Sequence, residues 1–122
     1  MDHEEKIHPR ACETMAQLTV SERRALDAIK QELSRRFHLC FMKLFGSKAR
    51  GDCDEESDLD VAFVLDELDW ETEKAVFVAC FEAGLRHDVL VSPIVYSRRE
   101  WESEIVKATP LYKTLERDGV DL

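Results

Sequence analysis

The sequence predicts a small α/β domain with few strands. Three observations carry that reading. The chain has 122 residues, which suits one domain. Apolar residues at helical spacing alternate with short runs rich in Val and Phe. The joints between these segments carry cap and turn residues. Hydrophobic content of 44% beside 35% charged residues is ordinary for a globular chain.

The elements follow in order. Residues 1–17 lack clear periodicity and are expected to be a loose, flexible N-terminal arm or a short helix, with one domain over 18–122. Ser21 reads as an N-cap, and Leu26, Ile29, Leu33 and Phe37 mark an amphipathic helix over 22–37. The apolar run 39–45 reads as a strand ending at Gly46, and 59–65 as the next strand. A turn over 66–70 leads to a helix over 70–85, with Val76, Ala79, Cys80 and Ala83 as its buried stripe. A third strand is expected over 87–96, where Pro93 requires a sheet edge or a bulge. Ser97 to Glu100 has the capping-box pattern and opens a helix over 98–107. Thr109 and Pro110 start a last helix that Gly119 stops.

Composition excludes several classes of function. The formal net charge is −9, a field that opposes nonspecific binding to DNA or RNA. No apolar run approaches a membrane span, and the polar start Met1-Asp2-His3-Glu4-Glu5 shows no signal peptide, so a cytoplasmic location is expected. Cys12, Cys40, Cys53 and Cys80 have no zinc-ligand spacing and read as reduced thiols. His3 and His8 fall in the arm, His38 sits near a helix end, and His87 faces away from its neighbour Asp88 in an extended chain. Trp70 and Trp101 read as packing or partner-contact residues.

The chemistry concentrates in Gly46-Ser47-Lys48-Ala49-Arg50-Gly51 and, after five residues, Ser57-Asp58-Leu59-Asp60. Glycines at both ends of the first segment permit tight turns and close backbone approach. The Ser47 hydroxyl and the turn's N–H groups suit a phosphate, and Lys48 and Arg50 supply cations. Asp58 and Asp60 are two apart, so a strand projects both from one face and leaves Leu59, Val61 and Phe63 for the core. Two adjacent carboxylates repel each other unless a cation joins them. Magnesium takes one or two carboxylates together with substrate phosphate oxygens, and a pair of such ions stabilises both the attacking and the leaving oxygen in phosphoryl transfer. Asp88, a lone acid at the start of the expected third strand, completes a triad as metal ligand, general base or both.

These residues resemble the signature of the DNA polymerase β-like nucleotidyltransferase superfamily. Residues 40–92 look like its small prokaryotic branch, the minimal nucleotidyltransferases (MNT), and the tail from Pro110 to Val120 is similar to many MNT chain ends. Lys48 stands where that family usually has Arg, and so keeps the charge but loses the bidentate fork. The resemblance implies a small mixed β-sheet flanked by helices, of α/β (α+β) class. It also implies Mg2+, as two ions, with ATP as substrate. Asp58, Asp60 and Asp88 would be the catalytic acids and metal ligands, and Gly46, Ser47, Lys48 and Arg50 would bind the nucleotide. The implied role is that of an antitoxin in a hetero-oligomer with a HEPN-domain ribonuclease toxin, which it silences by transferring AMP to a tyrosine. The acidity of the chain suits a basic partner. The alternatives are an antitoxin that acts by binding alone and a nucleotidyltransferase for small molecules such as antibiotics.

Overall fold

The structure, a computed structural model, describes residues 17–51 and 58–122. The expectations for residues 1–16, including Cys12, His3 and His8, and for Cys53 and Ser57 fall outside them. Helix α1 runs Val20–Arg36. Its N-cap is Thr19 rather than Ser21. The Glu22 N–H donates to Thr19 Oγ1 at 3.0 Å, and the Thr19 N–H donates to Glu22 Oε1 at 2.8 Å. This reciprocal capping box satisfies two donors, which a cap at Ser21 would leave unpaired.

Strand β1 (Leu39–Phe45) leads into a single helical turn, α2 (Gly46–Arg50). Strand β2 spans Leu59–Leu65, as the sequence predicts. Helix α3 (Trp70–His87) starts on Asp69, whose carboxylate accepts from the Thr72 N–H at 2.8 Å. It runs two residues past its expected end. Gly84 lies inside it, at a point where a Cβ would stand 2.6 Å from Val89 O, so this glycine serves close packing rather than termination.

Strand β3 is Val91–Ser97. The helix expected over 98–107 is two short ones, α4 (Arg98–Trp101) and α5 (Glu104–Lys107), because Ser103 accepts from the Val106 N–H and caps anew. Helix α6 (Pro110–Asp118) begins on Thr109 and ends at Gly119 as expected. A two-residue strand, β4 (Val120–Asp121), follows it.

The four strands form one mixed sheet in the order β3-β2-β1-β4. β1 is antiparallel to β2 and to β4, and β2 is parallel to β3 through the α3 crossover. β3 is therefore an edge. The Leu59 N–H donates to Leu90 O, and by alternation along the strand the Pro93 nitrogen faces the open side, where no ladder donor is lost.

β2 is buried on both faces. Leu59, Val61, Phe63 and Leu65 pack with α1 and α3. Ala62 and Val64 pack with Trp101 and Leu115 on the other side. The Trp101 ring lies 4.6–5.5 Å from the rings of Phe41, Tyr96 and Tyr112, so this tryptophan is a packing residue. Burying each large side chain of this strand is worth about 1.5–3 kcal/mol, which anchors the residues at its start. A register shift at Cys40 turns Leu39 into the α1/α3 core while Phe41 keeps to the opposite one. No helix among the described residues is long and apolar enough to cross a membrane.

Candidate active site

The end of β1 and the start of β2 meet at one end of the sheet, where Phe45 pairs with Asp60. The next residue, Gly46, has φ +77°, a conformation that disfavours any side chain. A Cβ there would collide with Asp60 Oδ2 and stand 3.2 Å from Asp60 Cγ. The Asp60 carboxylate thus lies against the backbone of the Gly46 turn, and two independent constraints hold that position to glycine. Gly51 closes the turn in the left-handed region, and its N–H donates to Ser47 O at 3.0 Å. Ser47 is half-buried and Arg50 exposed.

Asp58 and Asp60 are both half-buried. The Asp60 carboxyl is raised above the usual carboxylate range. Burial is the main cause, the charge of Asp58 adds to it, and nearby Arg50 opposes both. The acid pair is therefore close enough to repel, and Arg50 close enough to relieve it in part. The geometry brings together Gly46, Ser47, Arg50, Asp58 and Asp60 from the predicted set.

Two predicted residues are corrected. Lys48 points inward. Its Nζ lies 2.7 Å from Glu22 Oε2, and both side chains are only 6% exposed. Two residues apart on a helical turn, Lys48 and Arg50 project to roughly opposite sides, and the buried carboxylate of Glu22 takes the lysine. Lys48 is thus engaged by a buried carboxylate instead of standing out in the turn as expected. Asp88 is not on β3. It is the C-cap of α3, in the left-handed conformation at φ 58°. Aspartate adopts this conformation more readily than most residues, and it lets the chain turn from α3 into β3. Among the described residues no group of three or more His, Cys, Asp or Glu is arranged to hold a metal, and Asp88 reaches the sheet end from the α3 cap rather than from a strand.

Across β3, the residue opposite Asp60 is Ser92. Its hydroxyl donates to Asp58 Oδ2 at 3.2 Å. Sequence reading missed this residue, and its one signal was a polar side chain in an apolar strand next to Pro93. The other groups do little chemistry here. Burial pushes the Cys80 thiol up to about 12, so it stays protonated. His38 lies 3.8 Å from Asp66, and His87 sits in the last turn of α3.

The residues present fit a divalent cation. A half-buried, mutually repelling carboxylate pair whose charge Arg50 offsets only in part is an oxygen donor set suited to a cation, and magnesium takes one or two carboxylates together with water and substrate phosphates. A groove of about 900 Å³ is lined by Phe77, Phe81, Leu85, Asp88 and Ser92 among others, but not by Asp58 or Asp60. The acid pair marks the chemistry, because the groove's lining carries no paired carboxylates to hold a cation against a reacting phosphate.

Comparison with known proteins agrees with this geometry. The family model described as Polymerase beta, Nucleotidyltransferase matches residues 27–113. A Methanocaldococcus jannaschii protein provisionally named protein adenylyltransferase MJ0141 is 45% identical over 56 residues, which are 45% of this chain and 57% of that relative. The chain thus matches a little over half of that relative's length. A crystal structure from Sulfolobus solfataricus, provisionally titled a nucleotidyltransferase, shares the fold with a TM-score of 0.51. It is 19% identical, and the match covers 93% of this chain and 86% of that one.

Proposed function

The chain belongs to the polymerase-β nucleotidyltransferase family, and from that premise we propose that it transfers AMP from ATP to a protein hydroxyl with the help of magnesium. One observation carries the reading: the Asp60 carboxylate rests on the Gly46 turn beside Asp58, at one end of a strand buried on both faces. The M. jannaschii relative's name supports the adenylyl group and the protein acceptor.

In the transfer, the acceptor oxygen bonds to the α-phosphorus, the α–β phosphoanhydride bond breaks, and pyrophosphate leaves. The acceptor's proton passes to a base. When bound, magnesium screens the triphosphate charge and polarises the reacting phosphate oxygens. Asp58 and Asp60 hold the cation, and the turn at Gly46 and Ser47 lets the nucleotide phosphates approach the backbone closely. Arg50 adds positive charge at the mouth of the site.

The acceptor in this proposal is a tyrosine of a HEPN ribonuclease toxin, with the chain as its antitoxin. That part rests on the MNT-like motif and on the acidity of the chain. Incubating the protein with ATP, Mg2+ and such a toxin should add the mass of AMP to the toxin, read by intact mass spectrometry, and Asp58→Ala should prevent it. Toxin inhibition without an adduct, retained in Asp58→Ala, would leave a binder and remove the enzyme.

Ser92 has a part in the same site. Its hydrogen bond fixes one rotamer of Asp58. Ser92→Ala is expected to weaken Mn2+ binding about ten- to a hundredfold in titration calorimetry, which corresponds to the loss of one hydrogen bond to a charged group. Ser92→Thr should recover most of that affinity. Equal Mn2+ affinity in Ser92→Ala would show that Asp58 needs no such support.

A further inference from the structure

Helix α3 has two apolar faces. Ala75, Val76, Ala79, Cys80, Ala83 and Gly84 are buried against the fold. On the opposite side, Trp70, Phe77, Val78, Phe81 and Leu85 point outward, with Phe81 67% and Leu85 69% exposed. Leu90, just before β3, extends the stripe and is 65% exposed. Of the eight large hydrophobic side chains exposed among the described residues, six belong to this one surface. Scattered exposure is normal for a soluble protein, but a contiguous stripe marks an interface. The groove of about 900 Å³ runs along it.

We infer that this face joins a second copy of the chain, α3 against α3 in antiparallel orientation about a two-fold axis. The argument is charge complementarity. The first turn of α3 carries Glu71 and Glu73, and the last carries Arg86 and His87. With 3.6 residues per turn, Glu71, Glu82 and Arg86 flank the stripe on one side and Glu73 and His87 on the other, while exposed Lys74 lies within it between Trp70 and Phe77, within reach of the second copy's Glu82 in the antiparallel pairing. Centring the pair between Phe77 and Phe81 sets each phenylalanine against its counterpart. It brings Glu71 opposite the second copy's Arg86, and Glu73 opposite the second copy's His87. A parallel pairing would set acid against acid at one end and base against base at the other. The antiparallel arrangement also opposes the two helix dipoles favourably. The contact is isologous, so it closes at two copies.

Sedimentation equilibrium of the full chain at about 20 µM tests this. The expected mass is twice the 14.1 kDa of one chain. Phe81→Glu and Leu85→Glu should each yield a monomer with an unchanged circular dichroism spectrum. Glu71→Arg and Arg86→Glu should each weaken association at least about tenfold, and the two changes together should restore most of it. A wild-type monomer would overturn the inference. So would a dimer that survives Phe81→Glu, or a charge swap that restores nothing. A monomer that loses thermal stability in Phe81→Glu would instead show the stripe to be covered by the chain's own remaining residues, which also overturns it. The inference does not depend on the catalytic reading, since the mass is measured without nucleotide.

Discussion

Asp60→Asn is expected to abolish transfer and, in the metal-free protein, to raise the melting temperature. The loss of activity should reach at least about a thousandfold, because a cation-holding carboxylate supplies several kcal/mol of transition-state stabilisation. Asp58→Asn should do the same. The gain in stability follows from the environment of the wild-type carboxylate. Burial and the charge of Asp58 both disfavour its ionised form and raise its proton affinity. A carboxyl whose affinity is higher folded than unfolded stabilises the fold when protonated. That contribution is fully present below the ordinary aspartate value of 3.8 and is lost as pH rises through the elevated folded value. At neutral pH and with chelator present, the wild type therefore carries a strained carboxylate that the asparagine variant lacks. Thermal melts of both proteins with chelator should differ at pH 7 and converge towards pH 4. Added Mg2+ should stabilise the wild type alone. A variant that melts lower than the wild type at pH 7 would show that the pair is not strained and that some other group neutralises it.

Lys48→Met is expected to cost about 3–5 kcal/mol of stability, since it leaves the Glu22 carboxylate buried without its cation. For a domain of this size that is a fall of roughly 10–20 °C in melting temperature. Glu22 also caps α1 through the Thr19 N–H, so its displacement loosens the first turn of that helix as well. Pairing the change with Glu22→Gln should recover a large part of the loss, because a neutral amide keeps the cap and removes the orphaned charge. Below the transition, the KM for ATP in Lys48→Met should stay within about twofold of the wild type. A KM raised tenfold or more in the folded variant would return Lys48 to the phosphate site.

The sequence was most informative where local pattern and burial agree. β2 has apolar residues on both faces, and its ends were legible to the residue. The Asp-x-Asp spacing placed two carboxylates at its start, and the glycine of the preceding turn was legible because the close approach of Asp60 excludes a side chain. What was lost depends on distant partners or on choices that local pattern leaves open. Lys48 turns inward because of Glu22, which is remote in sequence. Asp88-Val89-Leu90-Val91 alternates like a strand, yet α3 runs to His87 and Asp88 spends its conformational freedom on a cap. Ser92 gains its role only when β3 is laid parallel to β2, and no pattern within either strand reveals that register. β4 is two residues long, too short to have a periodicity. The break after Trp101 was readable in principle, since Ser103 followed by Glu104 is a fresh helix start.

The outward-facing nitrogen of Pro93 has a bearing on solubility. Strand edges recruit other strands indefinitely, and a chain with a sticky helical flank beside such an edge would be at risk of growing into fibres. The imide ring interrupts the row of donors midway along Val91–Ser97, so an incoming strand would find the ladder broken there. Association is thereby steered to side-chain contacts, which saturate, and away from backbone templating, which does not.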